Sequence, residues 1–460
     1  MKRSSALGSL ILLGPFVVLG VLYLLTTSPI DTSRPLEISP TGPITIALAG
    51  DLLITDPLGA AERDQGFVAA RSAVRSATFA LANLEMNLRD ASDPAPAGTD
   101  ASSRWPWGSS RQAEFLRELG FDAVTLANDH AADHGVDAVL STRRVLDAAG
   151  ILHAGTGEDL AEARAPLKAG RIAVFGVAVS SMPDARATAS RGEIKGRAGV
   201  NPLRYTADIT VDAATFRTLR ESAPAAADPQ AGESELKMSG ATIKKGERTS
   251  VDFVVDPADE REILEAIRAA RRDAGVVIVS VHAHEPSNTS DEPARFVQRF
   301  ARAAIDAGAV IVVGHGPHRL RGVEVYGGGV ILYSLGNFFY QPLRVDFRAA
   351  NMFDRGANLY EAAVGAGSAA GADRSPAEEG AWWKSVLALA TVDSTGVTAL
   401  SLVPLDLGSD KSLETRGIPR VVRAETSGLL EQVQATARSL GTEVSVDPTS
   451  GHIFVRLAAP

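Results

Sequence analysis

Cysteine is absent from this 460-residue chain. That removes disulfides, thiolate nucleophiles, iron–sulfur clusters and structural zinc sites of the cysteine type. Any metal must be held by His, Asp, Glu or Asn. Positive charge is in deficit: 46 Lys and Arg against 55 Asp and Glu leave a net charge of −9. Nucleic acid requires a basic face against its phosphates, so no such partner is expected. Neither a GxxxxGK[ST] phosphate loop nor a GxSxG elbow occurs, and Ser334 in "YSLGNF" has no elbow context, so a serine hydrolase is unsupported. Histidine is scarce, at eight residues, so its placement is informative. Hydrophobic residues are not lacking: 45% is ample for a real core. The length allows one large domain with insertions or two to three ordinary ones.

The amino terminus reads separately. Lys2 and Arg3 precede a run that is apolar and uncharged from Ala6 to Leu25. About 20 such residues match a bilayer core, and positive residues in front keep that end in the cytoplasm. Residues 1–27 are expected to be an uncleaved single-pass anchor in the cell membrane, with the body of the chain outside the cytoplasm. The competing reading is a cleaved signal peptide, but the run is longer than a usual h-region and "LLTTSP" is a poor cleavage site. Residues 28–43, rich in Pro, Ser and Thr, read as a tether.

From "ITIALAG" onward, strand-like and helix-like segments alternate. "FDAVTLAN", "RIAVFGVAVS", "VVIVSVHAH" and "AVIVVGHG" are apolar strands; "SRQAEFLRELG" and "GVDAVLSTRRVLDAAG" are helices stopped by glycine. This alternation predicts an α/β architecture with largely buried strands. The main domain is expected over residues 44–408, with polar insertions at about 184–250, partly mobile, and 345–382; residues 409–460 add a helix and a hairpin-like strand pair.

Ligand-type side chains recur where apolar strands end. Asp51 follows Gly50; Asn83 and Glu85 close "ALANLE"; Asn128, Asp129, His130 and Asp133 lie in "LANDHAADHG". His282 and His284 are two apart on an extended segment and share a face, followed by Glu285. His315 and His318 occupy the tight turn "GHGPH", and Arg319 and Arg321 follow it, either to clamp an anion or as a solvated face. In open α/β sheets ligands gather beyond the carboxyl ends of strands. Imidazole with carboxylate suits zinc, iron or manganese, and more than four donors suggest two ions. Taken singly, Asp51 is as well explained as a turn or helix cap, Glu85 as a solvated residue and "NDHAADHG" as a polar loop; the recurrence favours the metal. Asp133, three residues after His130, is placed to orient its ring. Trp105 and Trp107 in "RWPWG" read equally as a polymer groove or as packing.

The ordered set "AGD", "NLE", "LANDHAADHG", "VHAHE", "GHGPH…RG" and "ILYSLGNF" resembles the CapA family of poly-γ-glutamate biosynthesis or capsule-associated proteins, itself similar to calcineurin-like metallophosphoesterases. The resemblance spans about residues 44–340 and the strands near 385–405. It implies a four-layer αββα sandwich with a dinuclear metal site at one end of the sheets. It implies metal ligation by Asp51, Glu85 as bridging carboxylate, Asp129, His130, His282, His315 and His318. Asp129 stands where the family usually has Asn, His-Ala-His replaces His-Trp-Gly, and GHxxH replaces GHxH. His130 with Asp133, or His284, would donate a proton to the leaving group. The implied activity is metal-dependent hydrolysis or transfer on an anionic γ-glutamyl or related envelope polymer. A phosphoesterase, and a non-catalytic export or anchoring subunit beside membrane-bound polymer synthase subunits, are the alternatives.

The topology is tested with a reporter fused after Pro460: an enzyme active only outside the cytoplasm should work there. Activity from a cytoplasm-only reporter contradicts the anchor reading.

Overall fold

The computed structural model describes residues 36, 38–55, 61–89, 107–181, 183–222, 234–238, 241–247, 250–341, 380–412 and 414–457. Leu36–Pro460 forms one compact unit. The expected anchor, most of the tether, Trp105 and residues 345–379 of the second insertion lie outside the described residues. Among the described residues no helix is long and apolar enough to cross a membrane.

Two large sheets build the centre of Leu36–Pro460. In the larger, of ten strands, Ile44–Leu53 pairs in parallel with Phe79–Leu84, which continues to Ala123–Thr125 and Leu152–Ala154. On its other side runs the antiparallel pair Lys384–Asp393 and Gly396–Asp406. Asn337–Tyr340 returns to lie parallel to the end of Ile44–Leu53, opposing Asn337 to Asp51. The six-stranded sheet centres on Val276–His282, parallel to both Ile172–Ala178 and Ile311–His315.

Period-two alternation sets the layers. Ile44, Ile46 and Leu48 of the first strand share a core with Ile172, Val174, Val276, Ile278 and Val313, so the sheets pack face to face. Ala47, Ala49 and Leu52 point the other way, onto helices Gln65–Ser76, Ser110–Leu119 and Val136–Ala149. Phe175, Val177 and Val279 pack on Pro257–Asp273 and Arg295–Asp306. The layers therefore run helix, sheet, sheet, helix. Local signals fix the helix ends. Ser109 and Gln112 form a capping box ahead of Ser110–Leu119, and left-handed Gly120 (φ 98°) ends it. Asp256 caps Pro257–Asp273, with proline in the first turn.

Residues 184–250 hold more regular structure than their polar composition predicts. Tyr205–Val211, Glu235–Met238, Ala241–Lys245 and Ser250–Val255 form a four-stranded sheet. Each strand contributes only a few apolar residues, but Ile209, Val211, Leu236, Ile243 and Phe253 all enter the core shared with the outer helices. Short half-polar strands leave a weak compositional signal.

Gly50 lets two backbones meet beside Asp51. A Cβ there would lie 1.8 Å from the Gly336 carbonyl oxygen, which accepts the Asp51 N–H at 3.1 Å. Gly50→Ala should destabilise the fold by about 1–3 kcal/mol through this clash, measured by denaturant unfolding. Unchanged stability would show that the strands separate freely.

Candidate metal centre

Strand register gathers the site. Asp51 pairs with Asn83, Asn83 with Thr125, and His282 with His315. The carboxyl ends of parallel strands from both sheets thus open onto one edge. At its base lies buried Asp51. Its Oδ1 accepts from Asn83 Nδ2 at 2.9 Å and its Oδ2 from the Gly316 N–H at 3.1 Å. His315 Nδ1 is 3.2 Å from Asp51 Oδ1, and His318 Nδ1 is 3.8 Å from Oδ2.

Glu85, fully buried, sits between two groups of donors. Its carboxylate, Asp129, His282 and His284 offer atoms that all lie within 4.8 Å of one another; so do Glu85, Asp51 and His318. In the first group Asp129 Oδ1 is 2.8 Å from His282 Nε2, and the Nε2 atoms of His282 and His284 are 3.1 Å apart. In the second, His318 Nε2 is 3.5 Å from Glu85 Oε1. His130 Nε2 lies 3.9 Å from Glu85 and 3.5 Å from Asp129.

Three rings are oriented alike. His130 Nδ1 meets Asp133 Oδ2 at 2.7 Å, His284 Nδ1 meets Asn288 Oδ1 at 2.6 Å, and His318 Nδ1 meets Asn337 Oδ1 at 2.9 Å. An N–H donated at Nδ1 leaves the Nε2 lone pair facing the cluster, the tautomer a metal needs. His318 achieves this from a left-handed backbone, φ 57°. Such a conformation costs of order 1–3 kcal/mol in a side chain other than glycine and persists where the surroundings enforce it.

The electrostatics suit cations. Burial raises the Glu85 carboxyl well above the usual range, and the charges of Asp51, Asp129 and Asp133 raise it further. Burial also opposes ionisation of Asp51 and Asp129, yet the surrounding histidines hold both below the ordinary carboxylate range. Against its burial, His130 is pushed up to about 9 by Asp129 and Asp133. Burial lowers His318 to about 4 despite Asp51. Carboxylates crowded at one buried edge make a setting whose negative charge divalent cations would balance. His315 adds a second indication: both ring nitrogens are buried, and Nε2 makes no hydrogen bond. The residues present fit divalent cations held by oxygen and imidazole donors, with Glu85 common to both donor groups.

The structure brings Asp51, Glu85, Asp129, His130, Asp133, His282, His284, His315 and His318 to this edge. Arg319 and Arg321 face elsewhere. Arg321 is buried and donates to the carbonyls of Ala283, His284, Glu285, Ser287 and Ser290. Arg319 donates to the carbonyls of Asn288 and Thr289 and pairs with Asp291. A substrate-clamping role is thereby corrected for Arg321, whose five N–H donors all meet protein carbonyls. Trp107 is exposed, stacked with His134 at 5.7 Å and under Arg89 at 4.2 Å.

The sequence gives no sign of Asn288 and Asn337 as ring-orienting partners and marks Asn83 only as a ligand-type residue at a strand end. A neutral amide leaves no charge signal, although Asn83 and Asn337 both lie inside quoted motifs. Trp382, whose ring lies 4.7 Å from that of His318, was also unforeseen.

The family described as "Bacterial capsule synthesis protein PGA_cap" matches residues 45–341, and the chain belongs to that family. It is 32% identical over 434 residues to the uncharacterized protein y4sH of Sinorhizobium fredii, covering 89% of this chain and 92% of that one. It is 26% identical over 229 residues to the capsule biosynthesis protein CapA of Bacillus anthracis, 49% of this chain and 41% of that one. It is 45% identical over 85 residues to the PGA biosynthesis protein CapA of Bacillus subtilis, 18% of this chain and 22% of that one.

A pH series on chelated protein checks the electrostatics. The raised His130 contributes stability that is present below 6.5 and lost as pH rises through about 9. Raised His284 and Glu85 act in the same direction. Lowered Asp51 and Asp129 lose their contribution only in acid, below this window. The chelated melting temperature should therefore fall between pH 6.5 and 9, and His130→Gln should flatten the fall. A flat wild-type profile contradicts this picture.

Proposed function

We propose that this chain is a membrane-anchored, extracytoplasmic, metal-dependent hydrolase or transferase-like protein acting in synthesis, release or anchoring of poly-γ-glutamate or a related anionic envelope polymer. One observation carries the metal dependence: two donor groups, of oxygen and imidazole type, share the buried Glu85. Family membership and the names of the CapA relatives support the polymer. Lys2 and Arg3 ahead of the apolar run support the anchor. Membrane-bound synthase subunits are the natural partners of such a role.

Manganese, zinc or iron fits the mixed His and carboxylate donors. When bound, such ions supply Lewis acidity and acidify water. The chain's own residues do the rest. Asp51, Glu85, Asp129, His282, His284, His315 and His318 would hold the ions. His130 lies toward the open side of the cluster, part-exposed where Asp51 and Glu85 are buried. Asp133 fixes its ring at 2.7 Å. That geometry suits a proton donor to the leaving group. It serves a leaving amine or an alkoxide, so phosphoester cleavage is the second reading.

The test is hydrolysis of poly-γ-glutamate and of a generic phosphodiester by the full chain, with metal content recorded. Cleavage of the polymer is expected, falling at least about 100-fold in His130→Ala with metal retained. Cleavage of the phosphodiester alone selects the second reading. A metal-loaded chain inert on both substrates selects a non-catalytic subunit.

A further inference from the structure

Arg321 and Asn288 stand outside the metal cluster but are tied to one of its rings. The segment from Ala283 to Asp291 is a loop leaving the Val276–His282 strand. Its carbonyls converge on the Arg321 guanidinium: Nη1 donates to Ala283 and Glu285, Nη2 to His284 and Ser287, and Nε to Ser290, at 2.8–3.4 Å. A five-donor planar fork holds a loop more rigidly than single bonds would. From the other side Ser180 Oγ accepts the His284 N–H at 2.9 Å and donates to the Glu285 carboxylate at 3.0 Å. Tyr205 donates to the same carboxylate at 2.5 Å. The loop is thus fixed along its backbone on both sides of His284. Its only side chain bonded to the His284 ring nitrogen Nδ1 is Asn288, at 2.6 Å.

We infer that Arg321 and Asn288 are positioning residues: the arginine shapes the loop so that Asn288 accepts the Nδ1–H of His284 and turns its Nε2 toward Asp129 and His282 as a metal donor. This rests on the metal-centre reading and deepens it. His284 joins the ligand set only in one tautomer, and the loop selects it. An acceptor on the outer nitrogen of a ligating histidine is worth about 10–100-fold in metal affinity. The assignment also explains Arg321 beside the histidine turn without a substrate anion.

The experiment compares full-length wild type, Asn288→Asp and Asn288→Leu. Asp keeps an oxygen acceptor at that position; Leu removes it at similar size. Nitrogen-15 spectra of the chelated proteins report the His284 tautomer. Elemental analysis and titration with manganese or zinc report ion number and affinity. The Nδ1–H tautomer is expected in wild type and Asn288→Asp and is lost in Asn288→Leu. The leucine variant should weaken one ion by about 10–100-fold while its chelated melting temperature stays unchanged. Arg321→Lys should do the same if it folds, and the Asn288 pair decides the matter if it does not. An Nε2–H tautomer at His284 in wild type, or wild-type affinity in Asn288→Leu, overturns the inference. Wild type showing the Nδ1–H tautomer but binding no metal overturns the metal-centre reading and leaves the orienting role of Asn288 standing.

Discussion

Four carboxylates, Asp51, Glu85, Asp129 and Asp133, converge on one edge of a two-sheet body, and two of them are fully buried. Like charges in a low-dielectric setting repel strongly. Much of the site's detail answers that repulsion. Five histidines are interleaved with the acids, so protons or cations stand between them. Asn83 donates to Asp51, and the Gly316 N–H does the same from the turn. Glu85, whose carboxyl burial and the neighbouring acids raise above its ordinary range, is the one both donor groups share.

The scaffold makes the concentration of charge tolerable. Apolar strands on both sides form three large cores, and the polar groups of the site stand at the strand ends. Side chains at a strand end are aimed by register rather than by loop conformation, so Asp51, Asn83 and His282 hold their spacing. The exception is the His315–His318 turn. There Gly316 takes a φ of 108° and His318 one of 57°, and strain of a few kcal/mol at most is small against burial of this many apolar side chains.

The sequence makes the scaffold readable where pattern and chemistry agree. Apolar runs ending in Asp or His declare both a buried strand and the side chain at its end, which is why Asp51, His282 and His315 could be placed at strand ends from the sequence. The shared position of Glu85 between the two donor groups is different: the residues alone make it a solvated glutamate, and only the resemblance singles it out. Arg321 misleads for a related reason. An arginine after a histidine turn suggests an anion, whereas its partners here are backbone carbonyls, which no residue type announces. The sheet within residues 184–250 is hidden because its strands are short and half polar. Asn337 reaches Asp51 by a parallel pairing between segments far apart in the chain, a contact that local pattern does not encode.

The central claim is that two cations share the Glu85 carboxylate. Anomalous diffraction from crystals of the manganese-loaded chain tests it directly. The account predicts two peaks about 3.5–4 Å apart, one among Asp129, His282 and His284 and the other beside Asp51 and His318, with Glu85 touching both. A single peak, or none at this edge of the sheets, would contradict it.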